Sequence, residues 1–468
     1  MTYDPKMLDA IFGENSIGTE PTARAQSSSC LFVRSQMQLG FDNAHAKGRR
    51  LNAQEALELF GYEALEQVAV DGRAHLFTTV AEPSRTLSAR RAELRFSITT
   101  VAERAGVSRS DVEFAETLGN LNSIHVLERI AEALGLDERV LTVRPGARGD
   151  AELGLQLRTL EDTGIKSERK AAVLAEAAWV IGRQVHLRDR DGASETLRLF
   201  EGRSDDYAYK TYERGYRLAA RTRAMLGLGE LEPIHSIRSV AEDLLGLPMV
   251  EAPLGNAIAG ATIVNNKARG IVLSSVLAST NKVLLRRTTI AHELGHALWD
   301  PDERLGRIKV DSETSISDAA AKEVDVVEMR ARSFAIALLA PTVAIRRIHR
   351  EEGSASKAVN RIIMEFGLSA PAAIFHLRNV CRLRSEELPA VRTPSTAHAL
   401  WDERERRPDG GLEVGEVPLM RRGGFADRVV LTWRAGRISD DTASAWLRHP
   451  IRQVTRTTPD ANPTYEKR

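Results

Sequence analysis

The chain has 468 residues, 43% hydrophobic and only 5% aromatic, so it is long enough for two or more domains and poor in the aromatic residues that fill β sandwiches. Its 65 Lys and Arg against 64 Asp and Glu exclude a basic footprint over the whole molecule, though not a local basic face. Cys30 and Cys381 stand far apart with no CxxC pair, which excludes an internal disulfide framework and a thiolate zinc site and points to a reducing compartment. The expected class is mainly α (α+β).

The opening residues MTYDPKMLDAIFGENSIG lack a basic stretch followed by an apolar run. No segment reaches the ~18 consecutive apolar residues of a membrane span, so the expectation is a cytoplasmic protein with no membrane partner. Residues 17–29, small and polar without a period, read as a flexible arm. Apolar residues at helical spacing predict a helix over 51–70 that turns at Asp71 and Gly72. No role is assigned to 1–86.

Four short helices are predicted across 87–143, around LSARRAEL, ITTVAERA, SRSDVEFAE and SIHVLERIAEALG, with Gly106 and the Gly119/Asn120 pair between them. The stretch RPGARGD (144–150) marks a boundary. A charged helical connector follows over 151–232. The period then changes: LPMVEA, ATIVNN and GIVLSSV predict a small sheet that opens a domain spanning 233–385. Helices resume at Thr288 and run to about Arg384. Residues 386–468 read as a linker, a strand RVVLTW, a helix ISDDTASAWLRH and a disordered tail.

The sharpest chemical signal is His292-Glu293-Leu294-Gly295-His296, an HExxH pattern in a helical run that Thr288 or Thr289 is expected to cap. Histidines at i and i+4 share one helix face and can converge on a single ion, with Glu293 beside them to orient a water. A catalytic zinc site needs a third protein ligand. Asp300, Glu303, Asp311, Glu313, Glu323, Asp325 and Glu328 are the carboxylates downstream. Glu328 is the best placed, because Glu328, Ala331, Ala335 and Leu338 fall on one helix face and the alanines allow close packing on the motif helix.

AHELGHALW, the strands before it and EMRARSFAIALLAP after it resemble the ImmA/IrrE family of metallo-endopeptidases over roughly 215–385. The resemblance implies a zincin-like peptidase domain with Zn2+ held by His292, His296 and Glu328, and with Glu293 as general base. Arg332 stands where the family usually has Asn, and Asp300 where a further His is common. It also implies regulatory proteolysis of a protein substrate, typically a repressor, in a stress, phage or mobile-element response. His376 is a weak candidate for stabilising the oxyanion. GIVLSSV is a candidate for aligning an extended substrate by strand addition.

The run from RRAELRF to RIAEALGL resembles the helix-turn-helix of the XRE family. That resemblance makes Gly106 the turn, Ser108 a cap and SRSDVEFAE the recognition helix, with Arg109, Ser110 and Glu113 toward the bases of double-stranded DNA. Asp111, Glu113 and Glu116 beside one arginine oppose phosphate binding, so protein contacts, including a homodimer, remain the alternative. Two other readings of the whole chain stay open. One is a DNA-binding regulator whose peptidase-like domain acts as a sensor; the other is a protease toxin or antiphage effector.

Overall fold

The computed structural model of the chain describes residues 3–76, 79–136, 168–189, 200, 211–255, 258–265, 268–277, 282–300, 326–406 and 417–454. The predicted boundary at 144–150, the tail beyond 454 and the carboxylates of 301–325 lie outside them. In chain order the elements are α1 (Pro5–Phe12), α2 (Pro21–Ser27), β1 (Leu31–Arg34), β2 (Gln38–Phe41), β3 (Arg49–Asn52), α3 (Ala53–Phe60), α4 (Tyr62–Asp71), β4 (Arg73–His75), α5 (Glu82–Leu94), α6 (Ile98–Ala105), α7 (Arg109–Glu116), α8 (Ile124–Ala133) and α9 (Glu168–Asp189). There follow α10 (Thr211–Met225), β5 (Met249–Ala252), β6 (Gly260–Asn265), β7 (Ala268–Ser274), α11 (Val283–Trp299), α12 (Val326–Leu339), α13 (Thr342–Glu352), α14 (Ala355–Phe366), α15 (Ala370–Cys381), α16 (Ser395–Glu405), α17 (Gly424–Arg434) and α18 (Asp440–Leu447). The described residues are mainly helical with two small sheets. Among the described residues no single helix is long and apolar enough to cross a membrane.

The chain divides into two compact units. The first takes residues 1–158, 171–187 and 409–468. Its antiparallel sheet has the order β3-β1-β2-β4, with Phe32 of β1 opposite both Phe41 and Leu51. Glu55 of α3 accepts from the backbone N–H of Ser439 at 3.0 Å and from the Thr442 hydroxyl, so the C-terminal segment closes onto the N-terminal sheet. Arg421, fully buried, stacks on Trp179 at 4.4 Å and meets Glu132 and Glu176 at 3.0 and 3.4 Å.

Three local expectations in this unit are corrected. Residues 17–29 are no free arm: Pro21 starts α2, and the Arg24 guanidinium donates to Asp9, Ser16 O and Gly18 O at 2.8, 2.6 and 2.7 Å. The helix over 51–70 is two helices preceded by a strand. Asn52 caps α3, accepting from Glu55 N at 2.8 Å, and Gly61 at φ 80° ends it, a conformation that side chains with a Cβ rarely take. RVVLTW is part of helix α17, because Phe425, Ala426, Val429 and Val430 recur at helical spacing and are buried together.

The second unit takes residues 159–170 and 188–408. In its sheet β7 lies between β5, parallel to it, and β6, antiparallel to it. One apolar core joins α10, β5, β7 and α11 to α16. The helices α10 and α12 approach to backbone contact, since a Cβ on Gly215 would lie 2.7 Å from Phe334 N.

Candidate metal centre

The helix α11 starts at Val283, one turn and more before the threonines expected to cap it. Its apolar face continues upstream through Val283 and Leu284. Thr288 and Thr289 turn their hydroxyls inward instead and donate to the carbonyls of Leu284 and Leu285 at 3.0 and 3.1 Å. The i, i+4 spacing then stacks His292 and His296 on one buried face, 7% and 8% exposed, with ring centroids 4.8 Å apart. Gly295 lies between them, and a Cβ there would stand 2.8 Å from Phe334 Cδ1, so the missing side chain lets α12 close on α11.

That approach brings Glu328, in the first turn of α12, onto the histidines. Glu328 Oε2 is 3.2 Å from His292 Nε2, Glu328 Oε1 is 3.4 Å from His296 Nε2, and the two Nε2 atoms are 3.1 Å apart. Tetrahedral ligands bound at about 2.0–2.1 Å lie about 3.3–3.4 Å from one another, so these spacings fit a shared cation. Two further observations agree. Glu328 Oε2 is buried, with His292 Nε2 facing it at 3.2 Å, and His296 Nδ1 is 2.8 Å from the Asp300 carboxylate. A carboxylate only accepts, so Nδ1 carries a proton and Nε2 is the nitrogen that faces His292 and Glu328. Among the described residues these three side chains form the group able to hold a metal ion.

Electrostatics follow from the same contacts. Burial disfavours a charged His296, and the hydrogen bonds and charges of Asp300 and Glu328 outweigh it, raising its pKa well above the ordinary histidine value. Burial would raise the Glu328 pKa, yet hydrogen bonding and charge from His292 and His296 hold it far below the usual carboxylate range. Asp300 is likewise lowered against its burial, by His296 and Arg330. The site is built around an ionised carboxylate and two imidazoles that face it.

Glu293 is 4% exposed. Thr262 of β6 donates from Oγ1 to Glu293 Oε2 at 2.7 Å and also lies 3.1 Å from the Glu293 carbonyl. A Cβ on Gly260 of the same strand would stand 3.0 Å from Glu293 Oε1. The Glu293 carboxylate is therefore seated against β6.

Two expectations for this unit are corrected. His376 is fully buried, 2.8 Å from the Ala340 carbonyl through Nε2 and 2.9 Å from the Tyr216 hydroxyl through Nδ1. The carbonyl takes its N–H, and burial pushes its pKa down to about 4, so it is a core histidine with no proton to offer an oxyanion. Residues 270–274 of GIVLSSV lie in β7, the central strand, whose two edges are occupied by β5 and β6. It has no backbone left to pair with a substrate. Asp300, one of the carboxylates weighed as a third ligand, instead meets His296 at i, i+4 spacing; Thr262 and Arg330 carried no local signal in the sequence.

The helix-turn-helix candidates lie in the first unit. Gly106 ends α6 in the left-handed conformation, and Ser108 caps α7 by a reciprocal capping box with Asp111. Arg109, Ser110 and Glu113 are exposed. Of the three acids near them, Asp111 is taken up in the cap and Glu116 in a paired contact with Arg91 at 2.6 and 2.7 Å. Phe114, Leu118 and Leu121 are exposed as well.

No protein-family model, no curated protein and no solved structure matches this chain.

Proposed function

We propose that the chain is a zinc-dependent endopeptidase that cleaves a specific regulatory protein, in the manner of the ImmA/IrrE family that its sequence resembles over 215–385. The observation that carries this reading is the convergence of His292, His296 and Glu328, with Glu293 next to His292 in the sequence. Three protein ligands leave a fourth position for a water, as in hydrolytic zinc sites. A zinc ion held there would supply Lewis-acid activation of a water and of a peptide carbonyl. Glu293 takes the proton of the attacking water and delivers it to the leaving amine. Thr262 donates to Oε2 of this carboxylate and holds it in place for that role. The edge strand β6, which carries Thr262, is where an extended substrate would pair with the backbone.

The domain architecture belongs to the same proposal: an XRE-like helical domain precedes a zincin-like peptidase domain in a cytoplasmic protein, and the substrate is a helix-turn-helix repressor. A second reading, DNA binding through α7, draws support from the internal use of Asp111 and Glu116, which leaves the helix less hostile to phosphate.

Zinc content of the purified wild type beside Glu328→Ala, measured after dialysis, tests the site. Near-stoichiometric zinc lost in the variant supports it, and metal-free wild type favours a regulator with a peptidase-like fold. Glu293→Gln is expected to keep the metal and lose cleavage, read by profiling new protein N-termini in cells that express each form.

A further inference from the structure

Asp300 stands four residues beyond His296, in extended backbone just past the end of α11, and its own N–H donates to the His296 carbonyl at 3.0 Å. Its carboxylate has two different partners. One oxygen is 2.8 Å from His296 Nδ1, and the other accepts from the guanidinium of Arg330. Arg330 lies on α12, two residues past Glu328. Glu328, His296, Asp300 and Arg330 thus form a closed circuit: carboxylate to imidazole, imidazole to carboxylate, carboxylate to guanidinium, and back along α12. Asp300 and Arg330 are 5% and 3% exposed.

A buried ion pair is a weak device for stability, since apolar residues of similar volume often serve as well or better. Its place here is better explained by the two things that a three-ligand site needs from its surroundings. One is the correct tautomer: without an acceptor at Nδ1, the His296 proton can move to Nε2 and point at Glu328 in the position of the cation. The other is spacing between ligands that come from different helices. The Asp300–Arg330 contact joins residues 30 positions apart and ties the two ligand-bearing helices directly beside the site.

We propose that Asp300 and Arg330 are positioning residues of the metal centre: Asp300 holds His296 with its Nε2 lone pair toward the ion, and Arg330 fixes Asp300 to the helix that presents Glu328. This rests on the reading of the site as a zinc site. Neither residue touches the ion or the reacting atoms.

The test uses the full chain stripped of metal and titrated with Zn2+ against a chromophoric chelator, with the Co2+ form followed by its visible spectrum. Asp300→Ala and the double variant Asp300→Leu/Arg330→Met are expected to bind zinc about 10–100-fold more weakly and to give an altered cobalt spectrum. Asp300→Asn, which keeps an acceptor, is expected to lose less. The double variant removes both charges together, so its melting temperature without metal should stay near that of the wild type. Wild-type zinc affinity in a folded double variant overturns the proposal. A histidine-selective 15N spectrum of the wild-type zinc form needs no variant: a proton on Nδ1 of His296 is expected, and a proton on Nε2 overturns the proposal. A wild type that binds neither zinc nor cobalt removes the metal site itself, an outcome distinct from a metal site indifferent to Asp300.

Discussion

Thr262 and Glu293 are bound across two elements, the Thr262 hydroxyl lying 2.7 Å from Glu293 Oε2. One donor on the edge strand of a sheet thereby sets the rotamer of the carboxylate that follows His292 in the sequence. Thr262→Val is expected to lower kcat by about 10-fold, the order lost when a catalytic group drifts from its working geometry. Zinc content should be unchanged. Thr262→Ser, which restores the hydroxyl, should recover most of the rate; equal loss in both variants would assign Thr262 to packing.

The closeness of α11 and α12 depends on the absence of a side chain at Gly295. A Cβ 2.8 Å from the buried ring of Phe334 must push the helices apart. Gly295→Val is expected to destabilise the fold by about 1–3 kcal/mol, the usual cost of overpacking, and to weaken zinc binding by separating Glu328 from the histidines. Denaturant unfolding and chelator competition read the two effects separately.

Arg287, on the same helix as the motif, is fully buried. It stacks on Trp401 at 3.9 Å and binds Glu405 and the carbonyls of Ile234 and His235, the latter two at 2.7 and 3.1 Å. Burial lowers its pKa to about 10 against the opposing effect of Glu405, so it stays charged at neutral pH. Arg287→Met leaves Glu405 buried without its cation and is expected to cost about 3–5 kcal/mol. Adding Glu405→Gln should recover part of that loss, as a double-mutant cycle in urea would measure.

Acid should loosen the second unit through His376. Its folded pKa of about 4 lies below the ordinary value of 6.5, so between those limits the unfolded chain binds the extra proton. Stability is then complete above about pH 6.5 and declines as the pH falls toward 4. At roughly 1.4 kcal/mol per unit the loss amounts to about 3 kcal/mol. A His376→Gln variant is expected to flatten this part of the profile, measured by denaturant midpoints from pH 7 to pH 4.5. An unchanged slope would assign the acid sensitivity to other groups.

DNA binding through α7 predicts fluorescence anisotropy with duplex DNA that falls steeply with salt, and an Arg109→Glu variant weaker by about an order of magnitude. No salt-dependent affinity for any duplex would leave the exposed Phe114, Leu118 and Leu121 as a surface for protein contacts.

How much of this could be read without coordinates varied with the range of the interaction. HExxH is a local pattern, and a helix converts i, i+4 spacing into a shared face whatever surrounds it; His292 and His296 were therefore legible from the sequence. The strands β5 to β7 and the helices α5 to α8 were legible for the same reason, since the period of apolar residues is a local property. RVVLTW failed because a short β-branched run fits both periods, and only its burial with Phe425 and Ala426 decided for helix.

The sequence by itself determined the pair of histidines, the general-base candidate next to them and a short set of carboxylates from which a third ligand could come. The tertiary structure decided which contacts between distant positions form: Gly295 against Phe334, Thr262 on Glu293, Asp300 with Arg330, and β7 inside its sheet, not at its edge. The physical reason is that backbone geometry fixes neighbours within a turn or a pleat, whereas contacts across 30 residues depend on how separate elements pack.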